Sequence, residues 1–313
     1  MSTALSLSVT GSPRESSPCT CLKRGPKMVS SKLPNFLYIG TGKAGTTWLF
    51  QVLSRHPNVF LTPVKETNFF DLNYERGLNW YAEFFADAGS NELVGEIAHR
   101  YLHEPTAPQR IKADLGQVKL IVGVRNPIDY CISDFLFTRR NGQFEGDLRE
   151  WVAHGFDFRR VAYRDLIQPF VDEFGVAAIY VYNFDDLARS PQIFIDSITS
   201  FLGIAPFPLD NESTNPINAA AKPRIKSLAR IANLTSKFLK RRGGQRIISS
   251  VKYNRLVQRV LYKKIGEKPR LDPDAEHVLR THARSHAAWL DETFGHRFSH
   301  TWGLAPMAPE EIR

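Results

Sequence analysis

Seven side chains of this 313-residue chain combine a type and a spacing that could do chemistry: Lys43, Thr46, Thr47, Glu66, His99, Arg125 and Ser133. The first three lie in Gly40-Thr-Gly-Lys-Ala-Gly-Thr-Thr47, between an apolar run and a helical pattern. Backbone N–H groups in such a loop, and the dipole of the helix it opens, favour an anion. Gly40 and Gly45 have the spacing of the phosphate loop G-x-x-x-x-G-K-[ST], but Thr46 stands where that motif has its lysine. The lysine sits earlier, at Lys43, and reaches a phosphate from inside the loop. Arg125 ends a second apolar run, and Ser133 follows about two helical turns later. Arginine grips a phosphate through two parallel N–H bonds, and serine adds a hydroxyl. A kinase needs a metal-binding carboxylate at such a strand end, whereas a cation there suits a second phosphate. Glu66 and His99 are groups that can take a proton from an attacking hydroxyl. Plainer readings exist for each: a ligand-free turn, an Arg125–Asp129 pair, a Glu66–Lys65 surface pair, and a hydrogen-bonded histidine in a pocket wall.

These residues need a scaffold, and the patterning supplies one. Apolar runs predict strands over 36–39, 93–97, 118–124 and 177–181, with a short extended piece over 59–61. Helical periodicity predicts helices over 46–54, 78–86, 106–115, from 127 onward, 164–174 and 191–202, and a loop over 62–71. Strands alternating with helices imply an α/β fold, a parallel sheet flanked by helices with right-handed crossovers. Ligands in such sheets bind beyond the carboxyl ends of the strands. Gly40, His99 and Arg125 all fall there and are expected to share one crevice. After residue 204 the pattern turns to a Pro- and Asn-rich loop, then to helices over 228–240, 246–264 and 274–294. Residues 1–33 lack periodicity and read as a disordered tail, with Met28 a candidate alternative start.

The net charge of +9 is uneven: residues 222–270 carry +15, leaving −6 for the rest. That segment reads either as a solvated helical face or as a surface for an anionic partner. Three cysteines form no framework, and a reducing, cytoplasmic setting is the simpler reading. No apolar run approaches the roughly 20 residues of a membrane span. The sequons at Asn211 and Asn233 read as chance.

At this point the motifs resemble those of sulfotransferases that use 3′-phosphoadenosine 5′-phosphosulfate (PAPS). Lys43-Ala-Gly-Thr-Thr-Trp48 is similar to their 5′-phosphosulfate loop, and Arg125-Asn-Pro…Ser133 to their 3′-phosphate strand and helix. Val181-Tyr-Asn-Phe-Asp-Asp-Leu187 and Phe201-Leu-Gly-Ile204 resemble the segment that follows. The resemblance covers about 35–204, and 205–313 matches only loosely. It implies a P-loop-like sulfotransferase domain over 34–313, with a nucleotide-binding core over 34–204 and a helical, basic part over 205–313. It implies that Lys43 faces the oxygen bridging sulfate and phosphate. Gly45, Thr46 and Thr47 would hold the 5′-phosphate, Ala44 belongs to the same cofactor-binding loop, and Trp48 would support the adenine side or simply pack. Arg125 and Ser133 would take the 3′-phosphate, with Arg224 in a late basic loop closing over it. No metal is implied. Glu66, before Phe69-Phe70, resembles the base of the carbohydrate branch, and His99 that of the small-molecule branch. The carbohydrate pattern has a lysine near Ile97; this chain does not, and Lys65 is the candidate replacement. Phe69, Phe70 and Trp80 are candidates for the acceptor wall or for core.

The resulting expectation is a cytoplasmic enzyme, peripheral to a membrane if the basic segment binds one. It would transfer a sulfuryl group from PAPS to a hydroxyl of a carbohydrate, glycolipid or small molecule. An anionic or membrane-associated acceptor is favoured, and no nucleic acid partner is expected. The alternatives are a P-loop kinase of a small molecule and a non-enzymatic polyanion- or membrane-binding module.

Overall fold

Alternation along the central strands decides the architecture. In β1 (Phe36–Gly40) every residue is buried, with Leu37 and Ile39 joining one apolar cluster and Phe36 and Tyr38 the other. The same split recurs in β4 (Lys119–Val124), where Leu120, Val122 and Val124 face one way and Ile121 the other. A strand with apolar side chains on both faces needs helices above and below it. The computed structural model has this three-layer arrangement. It describes residues 33–89, 93–210, 221–223, 262–264 and 269–305.

One five-stranded parallel sheet forms, with β2 (Val59–Leu61), β3 (Leu93–Ile97) and β5 (Ile179–Asn183) in the order β2-β3-β1-β4-β5. β1 pairs with β3 through Phe36↔Gly95 and with β4 through Phe36↔Lys119. The chain leaves β1 toward one edge and later returns to build the other side. The carboxyl end of β1 is therefore a switch point, where such sheets open a crevice. On one face lie α1 (Thr46–Leu53) and, later in the chain, Pro191–Leu202. On the other lie Ala107–Leu115, Pro127–Arg140 and Tyr163–Phe174. The C-terminal helix Pro273–Phe294 buries Leu279, Ala283, Ala287 and Leu290 in that same cluster. Burying each such leucine stabilises by about 1.5–3 kcal/mol.

Most predicted elements appear within one or two residues of their expected ends. Four details differ. The piece at 59–61 is a full edge strand of the sheet. The loop over 62–71 ends in a helical turn, Phe69–Leu72. The segment 78–86 splits into α-helix Leu78–Ala82 and a 3-10 turn Glu83–Phe85. The helix expected over 246–264 is corrected at its end: Tyr262–Lys264 is a strand, paired antiparallel with Ala221–Pro223. A three-residue strand has no periodicity to read, and a remote partner supplies its hydrogen bonds. The tail before residue 33, both sequon asparagines, the helix expected over 228–240, Arg224 and most of the basic segment lie outside the described residues.

Candidate active site

Two hydroxyls from the sheet and one from the loop itself fix the loop after β1. Tyr38 donates to Thr41 O at 2.7 Å, the Thr41 hydroxyl donates to Gly123 O at 2.9 Å, and Tyr182 donates to Ala44 O at 2.6 Å. Lys43 and Gly45 take left-handed φ values of 65° and 85°. A β-carbon at Gly45 would lie 2.8 Å from Leu187, so both conformation and space require glycine there. Gly45 then opens α1 with no side chain capping it. Helix geometry leaves the first N–H groups of α1 without acceptors. Thr46 is buried and Thr47 half-buried at this end, and Ala44 is fully buried. Trp48 points into the core, 4% exposed and edge-on to Phe194.

Cations gather beside the loop. Arg125 Nη1 donates to Lys43 O at 3.1 Å, and its Nε is buried with no hydrogen-bond partner among the described residues. Its backbone is held by Tyr163, whose hydroxyl donates to Arg125 O at 2.6 Å. The Lys43 ammonium lies 3.3 Å from the ring centre of Phe137. Burial brings it down to about 7; the charge of Asp134 opposes this, and those of Arg140, Arg125 and Arg160 add to it. A cation held so far below its ordinary range, beside a second cation with an orphaned donor, fits an anion between them. Ser133 is half-buried on the helix that follows Arg125.

Glu66 and His99 are hydrogen-bond partners. His99 Nδ1 lies 3.0 Å from Glu66 Oε1, and Lys65 Nζ donates to the same oxygen at 2.9 Å. Burial pushes the Glu66 carboxyl up, but the bond to His99 and the charge of Lys65 outweigh it, so the group lies well below the usual carboxylate range. His99 also abuts the loop: a β-carbon at Gly42 would be 3.0 Å from its ring. His99 and Arg125 therefore both lie against the loop that follows Gly40.

Phe69 and Phe70 are core, 1% and 0% exposed, and Trp80 packs against that core half-buried. The sequence reading paired Lys65 with Glu66 but missed its bond to the loop, and it missed Glu96 altogether. Lys65 also donates to Thr46 Oγ1 at 3.1 Å and so bridges the loop to Glu66. Glu96, wholly buried, accepts from Thr67 N and Oγ1 at 2.6 Å each, Tyr81 Oη at 2.8 Å and Tyr101 Oη at 2.9 Å. It anchors the turn that carries Glu66, which has φ 67°. A carboxylate in the middle of Leu93-Val-Gly-Glu-Ile97 was the available signal, since a charge on a buried strand must have partners.

The sheet order, the uncapped helix after β1 and the cation at the end of β4 define a P-loop-like α/β protein. The chain belongs to the sulfotransferase domain family, whose model matches residues 33–237. The membrane-associated sulfotransferase kil1 of Dictyostelium discoideum is 36% identical over 124 residues, 39% of this chain and 26% of that protein. Human heparan sulfate glucosamine 3-O-sulfotransferase 6 is 38% identical over 107 residues, 34% of this chain and 31% of that protein. The matched segments thus span only a quarter to a third of these relatives. A sulfotransferase crystal structure from Alicyclobacillus acidocaldarius superposes with a TM-score of 0.60 at 20% identity, over 87% of this chain and 99% of that one, and shares the fold.

Proposed function

We propose that the chain transfers a sulfuryl group from PAPS to a hydroxyl of an acceptor. The observation that carries this reading is the pairing of Lys43 with Arg125, whose buried Nε has no partner among the described residues, beside the uncapped start of α1. PAPS carries a 5′-phosphosulfate and a separate 3′-phosphate, and supplies the sulfuryl group together with a phosphate leaving group. In this reading Gly45, Thr46 and Thr47 hold the 5′-phosphate through backbone N–H groups and hydroxyls. Arg125 and Ser133 hold the 3′-phosphate. Lys43 stabilises the negative charge that builds on the departing oxygen. The Glu66–His99 pair takes the proton of the attacking hydroxyl. Ala44 and Trp48 shape the loop through their burial, and Arg224 stays a candidate for the 3′-phosphate. Residues 34–204 form the nucleotide-binding part, with no metal required.

An acceptor bearing anionic groups belongs to the same reading. Arg100 and Arg160 are about half exposed near the site, and the relatives include a heparan sulfate sulfotransferase. So does a cytoplasmic location peripheral to a membrane. Among the described residues Cys131 is a free thiol and no helix is long and apolar enough to cross a membrane, while one relative is membrane-associated by name.

The test is transfer of label from ³⁵S-PAPS to a panel of hydroxyl acceptors, alongside calorimetric binding of 3′-phosphoadenosine 5′-phosphate (PAP). PAP should bind without Mg²⁺, ATP should not, and Lys43→Ala should abolish transfer while keeping the fold. Binding of Mg²⁺–ATP without PAP binding would overturn the reading in favour of a kinase.

A further inference from the structure

Lys65 touches both halves of the site. Its Nζ donates to Thr46 Oγ1 at 3.1 Å, in the phosphate loop, and to Glu66 Oε1 at 2.9 Å, in the proton-accepting pair. Its side chain is only 6% exposed, so the ammonium cannot satisfy itself in water instead. Glu66 Oε1 is in turn shared with His99 Nδ1 at 3.0 Å. Thr46, Lys65, Glu66 and His99 therefore form one unbroken chain of polar contacts across three segments: the start of α1, the turn after β2 and the second residue past β3. The turn is rigid at its far side, because Glu96 holds Thr67 through both its N–H and its hydroxyl. Lys65 can redistribute its three donors within that frame, but the carboxylate cannot drift.

We propose that Lys65 is a positioning residue that the phosphate loop and Glu66 share, so that an anion on the loop draws Lys65 away and passes Glu66 to His99. The inference rests on reading the loop as the 5′-phosphate site. A phosphate at Thr46 attracts the ammonium more strongly than the threonine hydroxyl does. As the ammonium turns toward it, the Glu66 carboxylate is left to the imidazole and stabilises the protonated ring, whose Nε2 receives the acceptor's proton. His99 is suited to that part: its side chain is 35% exposed and Nε2 makes no hydrogen bond among the described residues. The coupling is reciprocal. Glu66 must compete with the nucleotide for Lys65, although Glu66 itself lies outside the phosphate loop.

The experiment is a double-mutant cycle read by PAP binding in calorimetry. In the wild-type background, Glu66→Gln releases Lys65 to the phosphate and tightens PAP about tenfold. In the Lys65→Met background the same change alters PAP affinity by about twofold or less, leaving only the through-space effect of one charge. An equal fold-change in both backgrounds overturns the proposal, as does a Glu66→Gln variant that binds PAP no more tightly. A second measurement needs no variant. In wild-type protein with ¹⁵N-labelled histidine, saturation with PAP should move the His99 Nδ1 proton downfield as its bond to Glu66 strengthens. An unmoved or upfield-shifted signal overturns the proposal. Failure of PAP to bind the wild-type protein overturns the reading of the loop itself, and this inference with it.

Discussion

Lys43 carries a pH signature that a solvent-exposed loop lysine would lack. Burial and the surrounding arginines bring its ammonium down to about 7 in the ligand-free protein. At neutral pH it is then about half protonated, and each further pH unit cuts the charged fraction about tenfold. An anion bound within a few ångströms restores the charge. PAP binding must therefore take up a proton, about half of one per molecule at neutral pH and close to one a pH unit or more above it. Above pH 7 the affinity should fall about tenfold per unit, or about 1.4 kcal/mol, until the bound ammonium itself titrates. Calorimetry from about pH 6 to about pH 9, in buffers of differing ionisation enthalpy, yields both the Kd and the proton count. A Kd independent of pH, with no proton uptake, refutes the argument. Lys43→Arg should keep a cation and lose the uptake. The same burial also acts on stability. The unfolded ammonium titrates at its ordinary 10.5, so between about 7 and 10.5 the unfolded chain holds more protons and the free protein grows more stable as pH rises. Below that window the buried charge costs most. Lys43→Met should therefore stabilise the half-buried site at pH 7, by about 2 kcal/mol once solvent screening is allowed for.

Two further substitutions separate binding from positioning. Arg125→Ala should raise the PAPS KM about 10- to 100-fold, the loss of charge-assisted bonds, and leave the acceptor KM within about twofold; an unchanged PAPS KM in steady-state kinetics would remove Arg125 from the nucleotide site. Glu96→Gln replaces a four-donor acceptor with an amide that must turn its NH₂ toward hydroxyls, costing about 1–3 kcal/mol in denaturant unfolding. Because Glu96 anchors the Glu66 turn through Thr67, kcat should fall while the PAPS KM holds; a loss of stability with kcat intact would show that the turn does not depend on it.

The elements that periodicity could reveal are those whose signals are local. The start of α1 is written in Gly45-Thr-Thr, and the helix Pro191–Leu202 matches its predicted bounds because Pro191 opens it and Gly203, at φ 77°, ends it. β4 is an apolar run that any buried strand would need. The short pair Ala221–Pro223 and Tyr262–Lys264 is different in kind. Each half is three residues long, and each exists only because the other supplies its hydrogen bonds. Trp48 reads from its place in the loop motif either as adenine support or as packing; its side chain faces Phe194, as the helical spacing of Trp48, Leu49 and Val52 requires of a buried stripe.

The contest between Glu66 and His99 has the same origin. Each residue was weighed inside its own segment, where each resembles a base of a different branch. Their meeting depends on register. β2 pairs with β3 through Leu61↔Gly95, in parallel. Residues a few positions beyond Leu61 and Gly95 therefore emerge at the same end of the sheet, and Glu66 and His99 are five and four positions beyond them. Once that register is known, an acid and an imidazole at one sheet end, with Lys65 between the acid and the phosphate loop, cannot act independently. A carboxylate held below its usual range by its hydrogen bond with His99 and the charge of Lys65 is a weak proton acceptor but a strong orienting charge. In the proposed reading the two residues therefore divide one task, with His99 taking the proton and Glu66 orienting the ring.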